Sequence, residues 1–141
     1  MKINHIETGG CLCGHIRYEF NRNDVVSSGH CHCKDCQKIT GSGKATIIFI
    51  PTKSLKINKE YKIYSVIGSD GTNVHRGFCP NCGSPVISYV SEQPNLRFIK
   101  AGSLDDSSWV KIESSFWSDS ACNWDPVNHS LPNFPKNPTW V

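Results

Sequence analysis

Three thiols fall within six residues at Cys31-His32-Cys33-Lys34-Asp35-Cys36, and two pairs flank them, Cys11-Leu12-Cys13-Gly14 and Cys79-Pro80-Asn81-Cys82-Gly83. One turn of backbone can aim all of the triplet's sulfurs at a single point. Each flanking pair ends in glycine, which lets the backbone turn tightly and point amide hydrogens at thiolate sulfur. Two such knuckles, distant in sequence, make a tetrahedral site when folded together. Structural zinc sites are closed, whereas catalytic ones keep a position open. The grouping therefore predicts a structural zinc on Cys11, Cys13, Cys79 and Cys82, and a catalytic zinc with a vacancy on Cys31, Cys33 and Cys36.

A zinc ion held by three thiolates is a weak Lewis acid that activates water poorly and receives a soft sulfur ligand well. The chemistry implied is capture of a thiol substrate, whose lowered pKa lets it attack an electrophile. The competing reading is a second closed site, completed by His30, His32 or His75. His32 is the poorest of these, because both of its neighbours are ligands. Cys122 has no partner spacing and reads as a small buried hydrophobe. Lys34, Lys38, Lys44 and Arg76 lie near the clusters in sequence and are candidates to pair with an acidic thiol, or are simply solvated. Thr40-Gly41-Ser42-Gly43 offers backbone amides but carries no phosphate-loop signature.

The elements that must present these residues are short strands. The segment 15–20 alternates, placing Ile16, Tyr18 and Phe20 on one face. Residues 21–28 read as a polar turn, and 35–39 as one short helical turn stopped by Gly41 and Gly43. The run 45–50 is continuously apolar, the mark of a strand covered on both faces, and Pro51 ends it. Further strands are expected at 55–57, 61–66, 73–78, 85–90, 96–101 and 111–117, with Ser69-Asp70-Gly71 as a turn. Helix is scarce. Residues 130–141 hold Pro132, Pro135 and Pro138 and read as an extended tail, pinned by Phe134 and Trp140.

With 141 residues, the chain reads as one mainly β zinc-binding domain over 1–141, its tail starting near residue 130. Hydrophobic content of 38%, charged content of 19%, 11 glycines and 8 prolines suit a turn-rich fold that is partly stapled by metal. No apolar run approaches the roughly 18 residues of a membrane span. The first residues lack the apolar core of a secretory signal, so a cytoplasmic, reducing location is expected, where such cysteine spacings bind metal and do not form disulfides. The formal charge of +3 counts cysteines as neutral. Two zinc ions and seven ligand thiolates bring it to about zero, which together with the absence of a basic tail speaks against a nucleic-acid partner.

The cysteine groups, with Gly102-Ser103-Leu104-Asp105-Asp106 and Leu131-Pro132-Asn133-Phe134-Pro135, resemble the glutathione-dependent formaldehyde-activating enzymes, a family that also includes centromere protein V. The resemblance implies a β-tent of antiparallel sheets and the same division into structural and catalytic zinc. It implies a carbon–sulfur lyase activity that joins glutathione to formaldehyde as S-hydroxymethylglutathione. One stretch departs from the family's pattern. Members often carry His-Ile-Trp followed by Ser-Lys-Ala-Pro-Trp, whereas this chain has Ser115-Phe116-Trp117 and Ser120-Ala121-Cys122-Asn123-Trp124, without that histidine and lysine. Two rival readings stay open: a non-catalytic zinc-stabilised module that binds a protein partner, and the same chemistry on a different thiol or aldehyde.

Overall fold

The run Ala45–Pro51 (β4) explains the layering. A strand sends alternate side chains to opposite faces, so Ile48 and Ile50 enter one hydrophobic core while Ile47 and Phe49 enter another. Each such side chain contributes about 1.5–3 kcal/mol when fully buried. The computed structural model describes residues 4–138. It is mainly β, with one α-helix, Lys34–Thr40 (α1).

Preceding β4 are Ile6–Gly10 (β1), Arg17–Asn21 (β2) and Ser27–Cys31 (β3). Following it are Lys56–Ile57 (β5), Lys62–Ile67 (β6), Asn73–Phe78 (β7), Pro85–Val90 (β8), Leu96–Lys100 (β9), Ser114–Phe116 (β10) and Asn133–Phe134 (β11). The eight-stranded sheet runs β11-β10-β3-β4-β9-β8-β7-β6, and a three-stranded sheet runs β1-β2-β5. Pairing is antiparallel except that β10 runs parallel to both β3 and β11. The first core lies between the sheets, where Ile16, Tyr18 and Phe20 meet Ile48, Ile50, Ile87 and Ile99. The second lies on the other face of the larger sheet, around Ile47, Phe49, Phe116, Cys31 and Cys36.

Most expected strands are present within a residue or two. Three are not expected from sequence, β1, β3 and β11. β3 consists of Ser27-Ser28-Gly29-His30-Cys31, whose first two residues fall in the expected polar turn 21–28 and which no branched residue marks as a strand. Pairing on both sides makes it a strand, to β4 and to β10. Its composition is dictated by crowding: a Cβ at Gly29 would stand 2.5 Å from the Phe116 ring and 2.9 Å from the Ser114 carbonyl oxygen. In the tail, Phe134 packs on the second core as part of β11, and Trp140 lies outside the described residues.

Candidate metal centres

The first centre ties the β1–β2 turn to the β7–β8 turn. Cys11, Cys13, Cys79 and Cys82 bring their sulfurs within 4.8 Å of one another. The Cys13 sulfur is 3.6 Å from those of Cys11 and Cys79. Such spacings far exceed a disulfide bond and approach the roughly 3.8 Å edge of a tetrahedron of zinc–sulfur bonds. Gly14 and Gly83 adopt φ of 83° and 76°, and their amides close the two knuckles onto the carbonyls of Cys11 and Cys79. Amides of Ile16 and Asn81 donate to the Cys11 and Cys79 sulfurs at 3.2 and 3.3 Å. The Ser84 hydroxyl, 3.2 Å from the Cys82 sulfur, holds that thiol down to about 5. Thiolate-stabilising donors around four converging sulfurs fit a bound zinc ion.

The second centre lies on the opposite face of the large sheet. Cys31 ends β3, Cys33 caps α1, and Cys36 sits in its first turn, with all three sulfurs within 4.8 Å of one another. The Cys33 sulfur accepts the Cys36 amide at 3.2 Å, so the helix cap and the three-sulfur turn are one structure. Thiol hydrogen bonds from Cys31 and Cys33 hold Cys36 well below its ordinary value, and the charges of Lys100 and Arg76 act in the same direction.

Gln37 braces this turn, and sequence reading missed it. Its side-chain amide donates to the carbonyls of His32 and Ser120, both at 2.9 Å, and its carbonyl accepts from Lys34 and Cys122, both at 3.2 Å. Cys122 is accordingly half-buried and hydrogen-bonded, not a packed hydrophobe, and it joins neither metal group.

Among the described residues no histidine nitrogen enters the triplet's radius. His30 sits 3.2 Å from the Thr46 hydroxyl and is pushed down to about 4 by burial. Both ring nitrogens of His75 are taken by Ser65 and Ser91. His32 is fully buried and belongs to neither sulfur group.

The triplet lines a cavity of about 280 Å³ together with Ile47, Phe49, Phe98 and Phe116 and with polar residues such as Ser88 and Thr72. Of the four cations singled out from sequence, only Arg76 lines it. Lys44 is ion-paired to Asp125 at 2.9 Å, Lys34 donates to Gln37, and Lys38 is exposed. Thr40-Gly41-Ser42-Gly43 ends α1: Gly41 takes a left-handed φ of 67°, and the Thr40 hydroxyl returns to the Cys36 carbonyl at 2.8 Å. A second cation, Lys100, was not expected. It lines the cavity though only 9% exposed, burial pushes its ammonium down, and the Cys36 charge pulls it back up. Its signal was legible in principle, because Leu96, Phe98 and Lys100 share a strand phase that should be apolar.

The family model described as glutathione-dependent formaldehyde-activating enzyme matches residues 6–120. The chain belongs to this family. The matched span includes all seven cysteines of the two centres. Among curated proteins none matches. A Rhodobacter sphaeroides protein of known crystal structure is similar in fold, with a TM-score of 0.56 and 14% identity over 90% of this chain and 98% of that one. At that identity the likeness concerns the fold alone. For a member of the glutathione-dependent formaldehyde-activating family, the arrangement offers two places where a metal ion could sit, and all three sulfurs of the triplet line one cavity.

Proposed function

We propose that this chain is a zinc-dependent carbon–sulfur lyase that adds glutathione to formaldehyde, giving S-hydroxymethylglutathione. In this reading Cys11, Cys13, Cys79 and Cys82 hold a structural zinc, and Cys31, Cys33 and Cys36 hold a catalytic one. The whole chain, residues 1–141, acts as one zinc-binding domain in the reducing cytoplasm. The observation that carries the reading is a cluster of three converging sulfurs that line a cavity, in a chain of this family.

When bound, zinc at the triplet would supply a soft Lewis acid that favours the thiolate form of an incoming thiol. The chain's own residues do the rest. Ile47, Phe49, Phe98 and Phe116 line the approach with apolar surface. Gln37 holds the triplet turn by bonding to its backbone. In the reaction the thiol proton leaves to water, the sulfur pair forms a bond to the carbonyl carbon, and the carbonyl oxygen takes a proton.

Zinc-loaded protein should accelerate the combination of glutathione and formaldehyde above the uncatalysed rate. An unchanged rate with both centres loaded would sink the assignment. Cys36→Ser should lower bound zinc from two ions per chain to one and abolish the acceleration, while the folded circular-dichroism spectrum stays. Global unfolding of that variant would make the triplet a scaffold.

A further inference from the structure

The inner face of β7, β8 and β9 is apolar apart from a single polar stripe. Arg76 on β7 stands opposite Ser88 on β8, and the Lys100 ammonium on β9 donates to the Ser88 hydroxyl at 3.3 Å. All three line the same cavity as Cys31, Cys33 and Cys36. Among the described residues neither Arg76 nor Lys100 has a carboxylate partner, and the guanidinium makes no hydrogen bond. A buried ammonium with one hydroxyl for company is costly unless an anion compensates it. Among the described residues none of the cavity's carboxylates, Asp35, Asp70 and Glu92, forms an ion pair with either cation; Asp70 is engaged by Thr72 and Asn137, and Glu92 by Asn73.

Building on the proposed function, we infer that Lys100 and Arg76 are the fixed counter-charge of the triplet centre, positioning residues that select an anionic sulfur ligand over water. The charge of the centre itself points the same way. Three thiolates around a divalent ion carry one net negative charge, which a single cation would offset. An incoming thiol that loses its proton to buffer raises this to two, and two cations stand at the cavity wall. Neutral water in the same place would leave the centre's own charge at one.

The test uses full-length protein loaded with cobalt(II), whose thiolate absorption reports ligands at the triplet, titrated with glutathione and with 2-mercaptoethanol, which lacks a carboxylate. Lys100→Met and Arg76→Gln should each weaken binding of both thiols by at least about tenfold. Lys100→Arg should restore most of it. Wild-type affinities in either variant overturn the inference, as does weakening confined to glutathione, which would assign the cations to a carboxylate. A wild-type spectrum that no thiol perturbs removes the thiol-capture reading itself, a different outcome from wild-type binding with indifferent variants. Arg76 is half-exposed, so its variant keeps the test open should Lys100→Met fail to fold.

Discussion

Cys33 serves both the helix and the metal turn. Its sulfur caps α1 by accepting the Cys36 amide, and it is one of three donors in the triplet. Serine at this position could keep the cap, since an oxygen accepts an amide as sulfur does, but it would surrender the soft donor. At the same scale, the family-motif residue Asp105 has a structural role. Arg17 donates to it in bidentate fashion and the Thr8 hydroxyl adds a bond at 2.7 Å, holding the carboxyl at about 2 from its ordinary 3.8. A carboxyl depressed by folding stabilises the native state above its unfolded pKa and loses that contribution as pH falls through the folded one. Stability from this pair is therefore complete above pH about 4 and fades toward pH about 2. Side chains that are 47% and 48% exposed keep it below about 1 kcal/mol. Asp105→Asn should flatten that part of an acid-unfolding curve, and an unchanged slope would show the pair to be neutral.

At the scale of the element, β3 carries the first ligand of the triplet on a strand of serine and glycine. Gly29 is required because the Phe116 ring and the Ser114 carbonyl occupy the space of a side chain. Gly29→Ala should force β3 and β10 apart at an overpacking cost of about 1–3 kcal/mol, read from urea unfolding. Since Cys31 lies two residues along the same strand, zinc at the triplet should also dissociate more readily. A variant that loses stability but keeps its zinc affinity would uncouple the strand from the site.

For the whole molecule, the two centres differ in what they join. The triplet is local, within one strand end and one helical turn. The other joins residues 66 apart, tying the small sheet to the large one beside the first core. A metal whose ligands are distant in sequence contributes its binding energy to folding, whereas one held by a preformed turn does not. A chelator should therefore remove one zinc with the fold intact, and removal of the second should coincide with loss of tertiary structure. Simultaneous release of both, followed by mass spectrometry and near-ultraviolet circular dichroism, would contradict that division.

What the amino-acid sequence alone determined was the local part: the donors and glycines of both knuckles, the two-faced strand β4, and the strands β7 and β8, because spacing, φ requirements and side-chain alternation act over a few residues. Tertiary structure decided what distant segments do to one another. Ser27 to Cys31 becomes a strand only when β4 and β10 pair with it, and Lys100 becomes part of the site only when β9 turns its inner face to the triplet. Whether a histidine reached the sulfurs was settled in the same way. His30 and His75 are held by hydroxyls on neighbouring strands, contacts that no sequence spacing encodes.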